Sequence, residues 1–180
     1  MISDASKAHA LEFVYHWVNE DGRTPATLTA GMKVVPTDSF TSCPPLDIVL
    51  IAAGKVGYEA SEAEKAFLRK SYADCAAMLC VCAGFEPVLH AGLLEGKTAT
   101  GPRFLLPRLR ELAPGTTWVE KRWAIEGKIW TTGTLLNGLD MVAAFGRATW
   151  GTRGDLVETV IKKGCFPCRD VDFGDSEEAR

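Results

Sequence analysis

The sequence predicts an α/β fold, a three-layer sandwich with a mostly parallel sheet of the flavodoxin-like kind. Apolar runs without polar alternation occur at 46–53 and 76–81, and such runs are typical of strands that are covered on both faces. A helical segment separates the two runs. Strands that alternate with helices form a parallel sheet between two helical layers, and each crossover is then right-handed.

The N-terminal quarter carries weaker patterns. Residues 4–12 have helix-forming composition and Phe13–Val18 is rich in β-formers, so we expect a short helix that leads into a strand. A second strand or hairpin arm is expected over 27–35, around Gly31. The Cys-Pro-Pro stretch at 43–45 ends a loop because proline cannot donate to a strand ladder.

The central segment has the clearest helix signal. Ser61 and Glu64 form a capping box, which starts a helix that we expect to run to about Tyr72. The next strand, 76–81, ends in a cysteine, turns at once through Ala83-Gly84 and enters a helix that is expected over 85–94. This order of strand, tight turn and helix presents the side chain of the bend at the edge of the sheet.

The C-terminal half continues the alternation of strands and helices. The sequence predicts strands at 97–100, 119–125 and 128–132, and a tight Glu126-Gly127 turn joins the last two. It also predicts helices at 107–112, 135–150 and 154–163. The tail from Asp170 is acidic and is expected to fray. With no linker or repeat, residues 1–180 are expected to form a single domain.

Charge and hydropathy narrow the classes of partner. The net charge of -3, without a basic block, argues against nucleic acid or an anionic membrane as the main partner and leaves a small molecule. No apolar run is long enough to predict a transmembrane helix. The N-terminus lacks a charged-then-apolar signal sequence, so we expect a cytoplasmic protein.

The six cysteines do not resemble an extracellular disulfide framework, because three of them crowd into positions 75, 80 and 82. Reduced thiols are the expected state. Cys165 and Cys168 have the spacing of a redox pair or half a zinc site, but no second pair is placed to complete a zinc site. We therefore expect neither a metal nor a cofactor.

Cys82 is the candidate catalytic residue. A thiolate at the start of a helix is stabilised by the helix dipole and can act as a nucleophile. The Ala83 N–H follows the nucleophile and is a candidate donor to the negative charge that an attack creates. The alternative is a packed cysteine at a tolerated turn, since buried cysteine is common.

The turn at Cys82, which we call the elbow, also carries a family resemblance. Two stretches carry it: Val81-Cys82-Ala83-Gly84, and the run to Thr100 that begins with Ala91-Gly92-Leu93-Leu94, nine residues after Cys82. Together they resemble the ThiJ/PfpI superfamily, which shares the fold of class I glutamine amidotransferases. The similarity extends from about 21 to about 145 and is closest to the isonitrile hydratase-like branch. It implies that a thiolate adds to an electrophilic carbon and that water then releases an N-formamide.

The resemblance also implies the remainder of the site. Gly54, after the first apolar strand, would supply the second backbone donor, although Ala52 and Ala53 replace the family's usual proline and first glycine. Asp140 would orient a helix start. Glu86 is expected to be a capping charge more than a proton donor. The pocket candidates are Ala53, Gly84, Glu86, Thr131, Thr132 and Gly133.

Two features depart from the family pattern. The stretch Thr100–Arg103 has no histidine where many members carry one, and His90 lies roughly 12 Å from Cys82 along a helix, too far for a dyad. The chain also begins after the family's opening strand and its acidic residue. We therefore expect either that 13–18 pairs directly with 46–53 or that a second subunit fills the gap in a homodimer.

These departures leave several functions open. Hydratase, glyoxalase-like and isomerase chemistry would all use the same elbow. A non-catalytic or stress-response binding module on the same fold would need no partner for Cys82. A truncated product that completes its sheet by dimerising is a further alternative.

Overall fold

The computed structural model describes residues 10–174. The described residues contain ten short strands and five α-helices. The strands are β1 Val18–Asn19, β2 Ala26–Thr27, β3 Lys33–Val34, β4 Asp38–Ser39, β5 Ile48–Ile51, β6 Ala77–Cys80, β7 Thr98–Ala99, β8 Thr117–Trp118, β9 Trp123–Glu126 and β10 Ile129–Thr132. The helices are α1 Glu62–Asp74, α2 Phe85–His90, α3 Leu106–Leu112, α4 Asn137–Trp150 and α5 Leu156–Lys163.

The central sheet has four strands in the order β5-β6-β10-β9. The pairs β5–β6 and β6–β10 are parallel, and β9 is antiparallel to β10. Cys80 lies opposite Ile51 on one side and opposite Thr131 on the other. The carboxyl ends of three parallel strands therefore meet at one edge, where ligands bind in open α/β sheets.

Helices cover both faces of this sheet. Met78 and Cys80 of β6 face a cluster that includes Phe85 of α2 and Leu106 of α3, all of them fully buried. The alternate residues Ala77 and Leu79 face Met141 and Phe145 of α4. Since successive strand residues point to opposite faces, β6 is buried on both sides, as its unalternating apolar sequence predicts. The three-layer α/β sandwich is confirmed.

Helix α1 begins where the capping box predicts. The Ser61 hydroxyl accepts a hydrogen bond from the Glu64 N–H at 3.1 Å and satisfies one of the free amides of the first turn. The helix ends at Asp74, two residues beyond the expected Tyr72.

The expected strand over 13–18 is wrong. Only Val18 of that stretch is in a strand, and β1 pairs in parallel with β4 rather than with β5. Phe13, Val14 and Tyr15 are exposed. A β-forming sequence becomes a strand only where a neighbour supplies the ladder. Residues 10–12 of the expected helix over 4–12 are not helical, and 4–9 lie outside the described residues.

Other boundaries differ in smaller ways. The hairpin expected around Gly31 is present as β2 and β3, joined through a 3-10 turn. Helix α2 ends at His90 instead of reaching 94, because Gly92 takes a φ of 76° and turns the chain. The tight turn before β10 is also present, with Gly127 at a φ of 59°.

The C-terminal segment binds back onto the residue that precedes β9. Strand β9 begins at Trp123 and not at 119, and the Arg122 N–H just before it donates to the carbonyl of Val171 at 2.8 Å. The buried Arg122 guanidinium also donates to the carbonyl of Asp170 at 2.6 Å. The described part of the acidic tail, 170–174, is therefore anchored and not frayed, and 175–180 lies outside the described residues.

Strand β5 is an edge of the central sheet. Within residues 10–174 it pairs with β6 alone, and Leu50 is 60% exposed. Edge strands usually carry charge, proline or a bulge that blocks further pairing, yet β5 reads Ile-Val-Leu-Ile. Across the described residues we find no helix with the length and apolar character needed to cross a membrane.

Candidate functional site

The elbow after β6 has an unusual backbone. Cys82 takes a φ of 53°, a conformation that is uncommon for residues other than glycine. The chain therefore leaves the strand at Cys82, and Cys80 and Cys82 do not share a face. Cys80 is fully buried, and burial raises the pKa of its thiol to about 12, whereas Cys82 is half-buried. The turn thus separates an inert thiol from one that solvent reaches.

The elbow packs tightly against the end of β5. A Cβ atom on Gly84 would lie 2.6 Å from the carbonyl oxygen of Ile51 and 2.7 Å from that of Ala52. Real Cβ atoms do not approach backbone oxygen this closely. Gly84 therefore allows the turn to meet the neighbouring strand, a role that glycine fills wherever two backbones come together.

The end of β10 supports the other side of the elbow. The Thr132 hydroxyl accepts a hydrogen bond from the Cys82 N–H at 2.9 Å. The neighbouring Thr131 hydroxyl accepts one from the Thr100 N–H at 2.8 Å. Both threonines are fully buried, so the structure places them beneath the elbow, where they position backbone. The Gly133 N–H donates to the carbonyl of Arg122 at 2.9 Å and fixes the turn after the strand.

Two backbone amides near the elbow have no hydrogen-bond partner among residues 10–174. Ala83 is buried, yet its N–H finds no acceptor there. Buried amides without partners are rare in proteins. The Gly54 N–H also has none, and Gly54 and Ala53 lie in the exposed segment that follows β5.

Glu86 lies in the first turn of α2 and is buried. Its two carboxylate oxygens accept hydrogen bonds from the Gly57 N–H at 3.0 Å and the Tyr58 N–H at 2.9 Å. Glu86 thereby ties the segment after β5 to the helix after the elbow. Sequence reasoning missed this contact because the partners lie 28 and 29 residues away along the chain, with no local signal.

Asp140, the other acidic residue that the sequence analysis names, also binds neighbouring side chains. Its buried carboxylate binds the Arg169 guanidinium at 2.7 and 3.1 Å and accepts a bond from the Asn137 side chain at 3.1 Å. It holds the start of α4 and the C-terminal segment together. The Ala60 N–H donates a hydrogen bond to Nδ1 of His90 at 3.5 Å.

The described residues hold no cluster of three or more histidine, cysteine or acidic side chains that would bind a metal ion. Two clefts, of about 200 and 270 Å³, lie elsewhere. The first is lined mainly by α4 and α5, and the second by residues around β9. Cys82 lines neither of them. The chemistry that the elbow offers is that of one accessible thiol beside unpaired backbone amides.

Comparison with known proteins identifies the family. No protein-family model matches the chain. The isonitrile hydratase of Pseudomonas putida is 30% identical over 161 residues, which cover 86% of this chain and 68% of that enzyme. This chain belongs to the ThiJ/PfpI superfamily. Within it, the chain lies on the isonitrile hydratase-like branch.

Solved structures agree on the fold. A ThiJ/PfpI family protein from Pseudomonas syringae superposes with a TM-score of 0.71 at 24% identity, over 88% of this chain. An AraC family transcriptional regulator from Pseudomonas putida superposes with a TM-score of 0.72 at 17% identity, over 88% of this chain and 85% of its own. The present ThiJ/PfpI member spans 65% of the Pseudomonas syringae chain.

Proposed function

We propose that this chain is a cysteine-dependent hydratase of small molecules with an electrophilic carbon, and that isonitriles are the substrate class. Cys82 is the nucleophile. The observation that carries the proposal is the strained, half-buried cysteine at the carboxyl end of β6. Backbone strain of this kind costs about 1–3 kcal/mol and clusters at functional sites.

The proposed reaction has two stages. The Cys82 thiolate forms a bond to the isonitrile carbon, that carbon takes a proton, and a thioimidate results. Water then adds to the same carbon, the carbon–sulfur bond breaks, and the thiol and an N-formamide are released. Atoms balance without a redox partner, since the net change is the addition of one water.

Backbone amides support the second stage. Water addition passes through a tetrahedral intermediate whose oxygen carries negative charge. The Ala83 N–H, buried and without an acceptor in the described part of the chain, is suited to stabilise that charge, and the Gly54 N–H is the second candidate donor. A single such donor contributes about 10²–10³ to the rate in well-studied cases.

The test uses two cysteine variants. Cys82→Ser should abolish formamide production from an isonitrile while the far-UV circular dichroism stays that of the native chain. Cys43→Ser, which removes another partly exposed thiol, should keep full turnover. Full activity in the Cys82→Ser variant would end the proposal.

A second candidate is a non-catalytic or stress-response binding module. The contacts of Glu86 and Asp140 favour it, because both carboxylates are occupied by structural bonds and neither is available as an acid or base for Cys82. This candidate predicts that iodoacetamide alkylates Cys82 with the pH dependence of an ordinary cysteine. Alkylation that persists well below that pH range favours the enzyme.

We also propose a homodimer. The uncharged β5 edge supports it, because the backbone groups of Ile48 and Leu50 that point away from β6 have no partner in residues 10–174. Two copies related by a twofold axis at Val49 would exchange those groups in an antiparallel ladder.

The cytoplasm is the proposed compartment. All six cysteines are free thiols. Proteins in reducing compartments keep their thiols in this state, whereas secreted chains usually pair them.

A further inference from the structure

A pair of exposed thiols follows helix α5. Cys165 and Cys168 are both free and exposed, with Phe166 and Pro167 between them. This is the two-residue spacing of redox-active dithiols. The pair plays no part in the chemistry proposed for Cys82.

Cys165 has a strained backbone. Its φ is 50°, and within residues 10–174 the one other non-glycine residue with positive φ is Cys82. The position after a helix end is usually a glycine, which adopts this conformation without cost. A cysteine there is therefore held against its backbone preference, as residues at functional sites often are.

A cation lies beside the second thiol. The Arg147 guanidinium binds the Glu158 carboxylate at 2.7 and 3.0 Å. The pKa of Arg147 lies above its ordinary value, mainly because of the hydrogen bond to Glu158 and, to a smaller extent, because of the neighbouring Cys168. A neighbouring guanidinium favours the thiolate form of a cysteine and makes it the better nucleophile.

The backbone around the pair is anchored on both sides. Cys165 closes α5, where its N–H donates to the carbonyl of Lys162 at 3.2 Å. Cys168 precedes Arg169, whose guanidinium is bound to the buried Asp140. The two thiols thus lie on a short turn that is tied to the domain at each end.

We propose that Cys165 and Cys168 form a thiol–disulfide exchange site that acts on small-molecule disulfides. The Cys168 thiolate attacks one sulfur of the substrate disulfide, the substrate S–S bond breaks, and one half leaves as a thiolate that takes a proton. Cys165 then gives up its proton and attacks the Cys168 sulfur, which releases the second half as a thiol. The chain loses two electrons to a protein disulfide, and the substrate gains two as a pair of thiols.

The experiment uses the full chain and oxidised glutathione as the probe. The reduced protein is incubated with the probe, quenched with an alkylating agent and mapped by mass spectrometry. We expect a Cys165–Cys168 disulfide in the native chain and glutathione retained on Cys168 in the Cys165→Ser variant. Stable glutathione on Cys168 in the native chain, or two thiols that react no faster than Cys43, would overturn the proposal.

A matched pair of variants tests the role of the cation. Arg147→Gln and Glu158→Gln both break the same ion pair, but only the first removes the charge next to Cys168. The first should slow glutathione transfer to Cys168 roughly tenfold, and the second should leave it within about twofold of native. Equal slowing in both would overturn Cys168 as the attacking thiol. These readouts do not depend on Cys82, so they stand apart from the hydratase test.

Discussion

At the scale of single residues, the backbone decides which thiols can react. Cys80 and Cys82 are separated by one residue, and an extended strand would point both to the same face. The strand ends at Cys80, and the positive φ of Cys82 leaves its side chain half-buried, while Cys80 stays in the core. One backbone angle therefore determines which of the two thiols solvent reaches.

The contrast predicts selective alkylation. Iodoacetamide at pH 8 should modify Cys82 and leave Cys80 intact in the folded chain, because burial raises the pKa of the Cys80 thiol to about 12 and keeps it protonated. Peptide mapping after a short exposure measures both sites. Equal labelling in urea serves as the control, and equal labelling in the folded state would contradict the assignment.

A second residue-scale prediction concerns the contact between the elbow and β5. Gly84→Ala should lower the free energy of unfolding by about 1–3 kcal/mol, the usual cost of overpacking, because the new Cβ meets the carbonyls of Ile51 and Ala52. Gly54→Ala is the matched control, since a Cβ there meets nothing within 4 Å. Urea unfolding measures the free energy of unfolding of each variant. A similar decrease in both variants would contradict the clash.

At the scale of elements, Glu86 couples the segment after β5 to helix α2. Glu86→Gln should weaken both bonds to the Gly57 and Tyr58 amides, at a cost of about 1.5–3 kcal/mol for hydrogen bonds to a charged group. Hydrogen exchange at those two amides should accelerate. Glu111→Gln, an exposed change on α3, is the control. Unchanged protection in the Glu86 variant would show that the segment is held by other contacts.

We expect the stability that the Asp38 contacts give to the pairing of β1 with β4 to depend on pH. The hydrogen bond from His16, then that from Thr37, lowers the pKa of Asp38 below its ordinary value. A depressed folded-state pKa gives stability that is present above the unfolded pKa and is lost as pH falls through the folded one. The Asp38→Asn variant should therefore be less stable than native at pH 7, with the gap closing in acid. Urea unfolding from pH 7 to pH 2 measures this, and a constant gap would refute it.

At the scale of the whole molecule, the central sheet has two edges of different character. Leu50→Lys on β5 should convert the proposed dimer to a monomer, because a charge on an edge strand opposes pairing. Ile125→Lys on β9, at the other edge, should leave the dimer intact; the two residues are 60% and 48% exposed. Light scattering gives the mass of each. A native chain that is monomeric at all concentrations would exclude the proposed assembly.

The sequence determined the parts of this protein that depend on local patterns. The capping box at Ser61, the unalternating run of β6 and the abrupt turn at Cys82 each act over a few residues, and each lies where it was expected. These three features predict the βαβ unit, and with it the edge of the sheet where the candidate nucleophile lies.

The tertiary structure decided what depends on contacts between distant residues. Residues 13–17 have β-forming composition, but they form no strand pairing within residues 10–174, so they remain irregular. The sequence alone shows that Glu86 and Asp140 are acidic. Only the fold shows that backbone amides bind the Glu86 carboxylate and that Arg169 binds the Asp140 carboxylate. Strand and capping signals are properties of short segments, whereas the partner of a buried charge is set by the packing of the whole chain.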